Sequence, residues 1–288
     1  MRLVTYQDGA YSRIGAVHGD RVITISDVAP DMQSLIEQGD AGLSRARAAV
    51  DAATSSIPLT TASLLAPIPR PRKNIVCLGM NYALHAYESA RARGNPEVLP
   101  EYPVFFTKAP TSVIGPNAPV PLHDAETAQL DWEVELAFII GRTARNVSES
   151  DALDYVFGYT ILNDVSAREL QQQHQQFFRA KSLDGCGPLG PWIVTADEIP
   201  DPHALGLRLR VNGETMQESS TNDQIFKIPT LISVLSHGMT LEAGDIISTG
   251  TPAGVGMGMH PQRWLKDGDV MEAEIDGIGI LRNTVRKL

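Results

Sequence analysis

Residues 130–141 constrain the fold most, because they form the most apolar run in the chain and yet contain the two glutamates Glu133 and Glu135. Their β-branched and aromatic side chains, with a glycine at the end, predict a strand. Since side chains alternate faces along a strand, Glu133 and Glu135 point to the same side. Ala137 and Ile139 continue that side as apolar surface. We therefore expect another layer of the protein to cover the two glutamates.

A covered pair of carboxylates needs a compensating group. Two such charges about 5 Å apart repel by roughly 3–4 kcal/mol at an effective dielectric constant near 20. A shared proton or a cation removes this repulsion. Because the ligands are oxygens, the cation would be a hard divalent ion, with Mg²⁺ first and Mn²⁺ or Ca²⁺ as alternatives. The remaining alternative is a half-exposed edge strand whose glutamates lie in water.

Length and charge limit the class of protein. The 288 residues suffice for one large domain, or for one with a small companion. A net charge of −10 argues against nucleic acid and anionic membranes as partners, although local basic groups can still bind an anionic substrate. No run approaches the length of a membrane span. Two cysteines without CxxC spacing, and no apolar signal segment, predict a cytoplasmic protein.

A proline-rich segment predicts a domain boundary. Residues 66–73 contain three prolines within five positions, which cannot continue a helix or a central strand. Residues 1–68 then form a small α+β domain with hairpins and two helices. Residues 69–288 are rich in strands with short helices, so the fold class is α+β, mostly β. Without regular βαβ alternation, a Rossmann or TIM architecture is disfavoured.

A histidine and an acid follow the first strand of the larger domain. Asn81 is a plausible N-cap, which places His85 and Glu88 three residues apart on one helical face. A carboxylate beside an imidazole is typical of a general base with an orienting partner. The alternative is a surface helix with an incidental pair. The flexible segment 94–100 follows, so helix and loop together could act as a lid.

Asp164 ends a predicted strand, where loops usually build sites. Ser166 and Glu169 have capping-box spacing, which predicts a helix that begins at Ser166. Asp164 either belongs to a site or merely assists this cap. Arg168 and Gln171 follow it by four and seven residues, and they share a helical face that looks back towards it.

Two glycine-rich loops complete the candidate regions. Residues 180–191 contain Lys181, for which an ordinary solvated lysine is the alternative to a site residue. Residues 250–256 contain Thr251 and follow a strand, so backbone N–H groups there can approach an anion. The second loop lacks the P-loop pattern.

Together these segments resemble the fumarylacetoacetate hydrolase family over residues 74–288. The motifs that match are GMNYALHAYE at 79–88, DWEVEL at 131–136, NDVSAR at 163–168, AKS at 180–182 and STGTPAGVG at 248–256. The resemblance implies a mixed β-sandwich roll, a homodimer and one divalent cation per subunit. Fumarylacetoacetases proper have a further Asp ligand before the histidine, whereas residues 75–84 contain no acid. The pattern is therefore more similar to the acylpyruvase, decarboxylase and diene-dioate isomerase or hydratase branches.

The resemblance also implies roles for individual residues. It assigns as metal ligands Glu133, Glu135 and Asp164; as catalytic residues His85, Glu88 and Lys181; and as substrate contacts Arg168, Gln171 and Thr251. The activity that follows is metal-dependent hydrolysis of a C–C bond in a small anionic acylpyruvate, giving pyruvate and a carboxylic acid.

In that reaction His85, oriented by Glu88, would deprotonate the attacking water, and Lys181 would stabilise the departing enolate. Three alternatives stay open. They are oxaloacetate decarboxylation, isomerisation or hydration of 2-hydroxyhepta-2,4-diene-1,7-dioate or a similar enol–keto isomerisation, and a metal-binding protein without catalysis.

Overall fold

The computed structural model describes residues 1–287, which fold mainly into β-sheets. The strands are β1 Arg2–Asp8, β2 Tyr11–His18, β3 Arg21–Thr24, β4 Ile57–Pro58, β5 Ser63–Leu65, β6 Ile75–Gly79, β7 Val104–Lys108, β8 Val113–Ile114, β9 Pro119–Pro121, β10 Leu130–Asp131, β11 Val134–Ile140, β12 Val156–Asn163, β13 Ser166–Ala167, β14 Gly187–Thr195, β15 Gly206–Val211, β16 Glu214–Ser220, β17 Ile246–Ser248, β18 Val270–Ile275 and β19 Gly279–Arg286.

Short helices connect and cover these strands. The α-helices are α1 Met32–Glu37, α2 Gly39–Asp51, α3 Ala83–Arg93, α4 Arg168–Gln173, α5 Phe178–Lys181 and α6 Ile228–Ser236. Single 3₁₀ segments are Leu59–Thr61, Pro110–Ser112, Glu149–Tyr155, Ala196–Glu198, Thr221–Asp223 and Gly256–Gly258. No helix within residues 1–287 is long and apolar enough to cross a membrane. The predicted class, α+β and mostly β, is confirmed.

The central sheet has twelve strands, and β11 lies in its interior between β12 and β17. Every residue of β11 is buried. Leu136 and Phe138 pack into one hydrophobic cluster, whereas Ala137 and Ile139 pack into the cluster on the other face. This alternation follows from the period of two along a strand. The glutamate face is therefore covered, and the edge-strand alternative is wrong.

The predicted strand over residues 130–140 is not continuous. Strand β10 ends at Asp131 and pairs with β13, while β11 begins at Val134 and pairs with β12. The strand is interrupted between them because the N–H of Glu133 donates to the side chain of Asn163 at 3.0 Å and not to the backbone of a neighbouring strand. The carboxylates of Glu133 and Glu135 still converge.

The N-terminal strands extend the central sheet. Strand β1 pairs antiparallel with β14, with Arg2 opposite Val194 and Leu3 opposite Ile193. Leu3 also belongs to the hydrophobic cluster that contains Ala137 of β11. Residues 74–286 thus share a sheet and a core with the N-terminal segment. The domain division at residue 68 stays a prediction.

Two predicted helix starts are wrong, because other hydrogen bonds occupy the capping side chains. Helix α4 begins at Arg168 rather than Ser166, whose hydroxyl donates to the carbonyl of Asp164 at 2.8 Å. The Glu169 carboxylate accepts the N–H of Ala128 at 2.8 Å, so no capping box forms.

The second wrong start concerns Asn81. Helix α3 is preceded by Tyr82 as the capping position. The amide of Asn81 instead donates to the carbonyls of Thr249 at 2.8 Å and Phe226 at 3.0 Å. This side chain therefore joins the start of α3 to the glycine-rich loop after β17.

Candidate active site

Three buried carboxylates meet at the centre of the large sheet. Glu135 projects from β11, Glu133 from the break before it, and Asp164 from the end of β12. One oxygen from each lies within 4.8 Å of the others, and none of the three residues is more than 3% exposed. The break between β10 and β11 and the antiparallel pairing of β11 with β12 bring the sequence-predicted ligands together.

The carboxylate of Glu135 has one oxygen that is free to bind a cation. Its Oε2 accepts hydrogen bonds from the hydroxyl of Ser248 and the N–H of Gly250, whereas its Oε1 is buried without a hydrogen-bond partner. Burial, followed by the charges of Asp164 and Glu133, raises the pKa of Glu135 well above its ordinary value. A hard divalent cation would use the free oxygen and relieve the repulsion. The residues present can therefore hold such an ion.

Lys181 places an ammonium group among the carboxylates. Its Nζ donates to Glu133 Oε2 at 2.6 Å and to Asp164 Oδ2 at 2.7 Å, and the residue is 2% exposed. Burial alone would lower the pKa of Lys181, but Asp164 and Glu133 outweigh it and raise that pKa. Lys181 is thus charged at neutral pH. It is not the solvated loop lysine of the alternative interpretation.

A second lysine, which the sequence interpretation missed, lies behind Asp164. Lys108 ends β7 and is inaccessible to solvent. Its Nζ donates to Asp164 Oδ1 at 2.7 Å and to the carbonyls of Val165 and Lys181. Asp164 therefore lies between two ammonium groups. The only signal in the sequence is a lysine at the end of an apolar strand.

Arg168 is held rigidly beside Glu133. Its Nε donates to Asp131 at 2.8 Å, and its Nη2 lies 2.6 Å from Glu133 Oε1. Burial would lower the pKa of Arg168, but Glu133 and Asp131 outweigh it and raise that pKa further. Asp131 in turn accepts the N–H groups of Gly256 at 2.7 Å and Met257 at 3.1 Å. The anion that these loop N–H groups bind is therefore the carboxylate of Asp131.

His85 and Glu88 form the predicted contact. His85 Nδ1 lies 3.3 Å from Glu88 Oε2, and its Nε2 lies 3.4 Å from the hydroxyl of Ser89. The N–H of Gly254 donates to the Glu88 carboxylate at 3.1 Å. Burial would raise the pKa of Glu133, but Lys181 and Arg168 outweigh it and lower that pKa. His85 lines the same cavity as Glu133.

The two remaining predicted substrate contacts, Gln171 and Thr251, form different hydrogen bonds within the protein. Gln171 Oε1 accepts from Arg168 Nη1 at 3.0 Å and from Arg93 Nη2 at 2.8 Å. The hydroxyl of Thr251 donates to the carbonyl of Val134 at 3.0 Å and accepts from Gln217 at 2.7 Å. Thr251 is thus already engaged within the protein, whereas Gln171 joins two guanidinium groups.

Most of these side chains line one small cavity, of about 30 Å³. Its walls are Leu78, Gly79, Met80, His85, Ser89, Arg93, Phe106, Glu133, Glu135, Arg168, Gln171, Phe177, Lys181 and Thr251. Asp164 and Glu88 do not line the cavity. Asp164 contacts Lys181, and Glu88 contacts His85, both of which do. The cavity thus combines a cation-binding face, a base and several positive charges, which is an arrangement suited to an anionic substrate that loses a proton.

Residues 74–286 match the family described as "Fumarylacetoacetate (FAA) hydrolase C-terminal". The chain belongs to the fumarylacetoacetate hydrolase family. The predicted family and its fold are therefore confirmed, and the chain is an enzyme of this family.

Named relatives in the fumarylacetoacetate hydrolase family carry out different reactions. Oxaloacetate tautomerase YisK of Bacillus subtilis is 50% identical over 227 residues, which cover 79% of this chain and 74% of the relative. The solved fumarylacetoacetate hydrolase of Exiguobacterium antarcticum is 41% identical, with a TM-score of 0.86 over 100% of both chains. Maleylpyruvate hydrolase from Sphingobium, solved with manganese(II) and pyruvate, is 34% identical, with a TM-score of 0.79 over 100% of this chain and 99% of the other.

The candidate cation site of this family member has three acids. Within residues 1–287 the group consists of Glu133, Glu135 and Asp164, in agreement with the lack of an acid in residues 75–84. Residues 75–84 contribute an unusual backbone conformation to the site, because Met80, which lines the cavity, has a φ of 56°. Such a conformation is uncommon for a residue with a side chain and is typical of functional sites.

Proposed function

We propose that this enzyme interconverts the keto and enol forms of oxaloacetate, using a divalent cation. The observation that carries this proposal is the buried ammonium of Lys181, which shares one cavity with the imidazole of His85. Tautomerisation moves one proton between carbon and oxygen, and it needs a base for the carbon and a positive charge for the oxygen. The relative from Bacillus subtilis, at 50% identity, supports the choice of substrate.

The cation would be held by Glu133, Glu135 and Asp164, and when bound it supplies Lewis acidity towards the substrate's oxygens. Lys181 adds a fixed charge beside the same carboxylates, at 2.6 Å and 2.7 Å from two of them. As the C–H bond of the substrate breaks, negative charge grows on the 2-oxo oxygen. The ammonium of Lys181, held in position before the reaction, would stabilise this charge in the transition state more than in the ground state.

His85 is the group that takes the proton from the carbon. Its Nδ1 contacts Glu88, which fixes the ring and leaves Nε2 as the basic nitrogen. The proton then reaches the oxygen, so one C–H bond breaks and one O–H bond forms, with no water consumed and no change in oxidation state. Arg168, held by Asp131, orients the substrate.

Hydrolysis of an acylpyruvate is the second candidate. The His85–Glu88 contact favours it, because the same base can take a proton from a water molecule. The maleylpyruvate hydrolase at 34% identity also supports this reading. Both reactions use the carboxylates and Lys181. They differ because hydrolysis adds a water molecule and breaks a C–C bond, whereas tautomerisation breaks only a C–H bond and forms an O–H bond.

A comparison of two substrates tests the proposal. The enol form of oxaloacetate is followed by its ultraviolet absorbance with purified enzyme and Mg²⁺, alongside pyruvate release from acetylpyruvate in isotopically labelled water. We expect enol decay well above the rate in buffer, without release of CO₂, and loss of this effect in a chelator. Labelled acetate from acetylpyruvate, with enol decay at the buffer rate, would support the hydrolase instead.

Several earlier expectations stay predictions. They are the homodimer, the cytoplasmic location, the small keto-acid partner, the lack of nucleic-acid and membrane partners, and Mg²⁺ as the cation. The manganese bound by the maleylpyruvate hydrolase keeps Mn²⁺ in consideration. Metal analysis of the purified protein and light scattering of the chromatographed protein measure the ion and the oligomeric state.

A further inference from the structure

Arg93 occupies the wall of the cavity and has no assigned role. It is the last residue of α3, after which Gly94 turns the chain with a φ of 67°. Its Nη2 donates to Gln171 Oε1 at 2.8 Å, the same oxygen that binds Arg168. The Nε of Arg93 is buried and has no hydrogen-bond partner. A donor beside the cavity is therefore free to bind a ligand.

Arg93 has no ion-pair partner within the described residues 1–287. Burial, followed by the charge of Arg168, lowers its pKa and outweighs the opposing charge of Glu133. The Phe177 ring, whose centroid is 5.9 Å from its guanidinium carbon, packs against it. Burying a guanidinium without an acid is unfavourable. An anion bound in the cavity would remove that penalty.

Arg91, two residues earlier on the same helix, shows the contrast. It forms an ion pair with Glu97 at 3.0 Å, and its side chain is 59% exposed. The two arginines therefore point in different directions, one to solvent and one to the cavity. Arg91 provides a matched control for substitutions of Arg93.

The order of contacts across the cavity defines the class of ligand. Glu133, a cation ligand, lies beside Arg168, and Gln171 then joins Arg168 to Arg93. A substrate whose 2-oxo acid end lies at the carboxylate cluster would extend its other end past Arg168 towards Arg93. A guanidinium recognises a carboxylate through two parallel hydrogen bonds.

We propose that Arg93 binds the second carboxylate of a short dicarboxylic 2-oxo acid and so selects diacids over monoacids. This inference rests on the proposed function, because it takes the 2-oxo acid end to lie at the cation. Arg93, at the end of α3, would then provide the contact with the second carboxylate of the substrate. Gln171, whose Oε1 accepts from both guanidinium groups, then holds them in place.

Binding of malate and lactate tests the inference independently of turnover. The two 2-hydroxy acids share one end, and only malate has a second carboxylate. Calorimetric titrations use the full chain loaded with Mn²⁺, as wild type, Arg93→Met, Arg93→Lys and Arg91→Met. We expect wild type to prefer malate and Arg93→Met to bind it roughly tenfold more weakly or worse, with lactate unchanged. Arg93→Lys should recover part of the loss, and Arg91→Met should resemble wild type.

Each other result overturns the inference. A wild type without preference for malate shows that no second-carboxylate site exists. Equal weakening of malate and lactate by Arg93→Met shows that Arg93 only supports the fold, and an unchanged malate affinity shows that it takes no part. If malate binds through Arg93 but enol-oxaloacetate is not converted, the proposed function fails while this inference stands.

Discussion

Lys108 donates a hydrogen bond of 2.7 Å to Asp164, and both side chains are inaccessible to solvent. Lys108→Met would leave the Asp164 carboxylate with only one of its two ammonium partners. Breaking a buried ion pair on one side destabilises proteins by about 3–5 kcal/mol, so we expect a loss of this order in the free energy of unfolding in urea.

Lys73→Met is the control for that substitution. Lys73 pairs with Asp245 at 2.8 Å at the surface, where such pairs contribute about 0–1 kcal/mol. If Lys108→Met and Lys73→Met change the unfolding free energy equally, the buried pair has no special importance for stability.

The cation prediction separates two effects of Glu135. Glu135→Gln replaces a carboxylate, whose charged form is disfavoured by burial and by the nearby Asp164 and Glu133, with a neutral amide, so the chelated protein should melt no lower than wild type. The same change should abolish stabilisation by Mn²⁺, which for wild type amounts to about 2.7 kcal/mol at a hundredfold excess over the dissociation constant. Thermal melting with chelator and with Mn²⁺ measures both. A variant that Mn²⁺ still stabilises fully would exclude Glu135 as a ligand.

The base prediction concerns His85. His85→Ala should slow the conversion of enol-oxaloacetate by about 10²–10⁴-fold, the range for a positioned general base. Stabilisation by Mn²⁺ should persist, because the imidazole is not among the three carboxylates of the cation site. Glu88→Gln should have a smaller effect, since it disturbs only the orientation of the ring. Loss of cation binding in His85→Ala would mean that the imidazole is a ligand.

A pH dependence of stability is expected from His203. Its Nε2 accepts the N–H of Ile228 at the start of α6, at 3.2 Å. Burial, followed by the charge of Lys227, lowers the pKa of His203 below its ordinary value of about 6.5. Above about pH 6.5 both folded and unfolded forms are neutral, and the hydrogen bond contributes fully. Below it the unfolded chain takes up the proton first, so stability falls as the pH drops through the folded pKa.

His203→Gln removes this titration. The difference in urea midpoint between wild type and variant should therefore shrink as the pH is lowered from about 7.5 to about 5. The magnitude is reduced by the partial exposure of the imidazole. Parallel profiles for the two proteins over that range would show that His203 does not contribute.

The sequence allowed the buried strand and its acids to be predicted, because their pattern is local. Alternation placed Glu133 and Glu135 on one side, and the apolar residues around them implied a covering layer. An Asn-Gly pair between two strands is likewise a local signal for a hairpin turn, and Asn212 and Gly213 adopt the positive φ that such a turn requires, 53° and 82°. These features depend on neighbours a few residues apart.

The features that could not be predicted depend on distant partners. Lys108 and Asp164 are 56 residues apart, and Arg93 and Gln171 are 78 apart. No local pattern states that such residues will meet. The same reason explains the wrong cap at Asn81, whose side chain donates to the distant carbonyl of Thr249. At Ser166 the competing acceptor is local, because the hydroxyl donates to the carbonyl of Asp164.

The pairing of β1 with β14 has a consequence for any shortened form of this enzyme. Without residues 1–73, strand β14 would lose the neighbour that binds Ile193 and Val194. Its backbone N–H and C=O groups would then face solvent along an apolar edge, which is a template for pairing with another molecule. We therefore expect a fragment restricted to the family-matched region to aggregate. We expect the N-terminal hairpins to prevent this aggregation, in addition to extending the sheet.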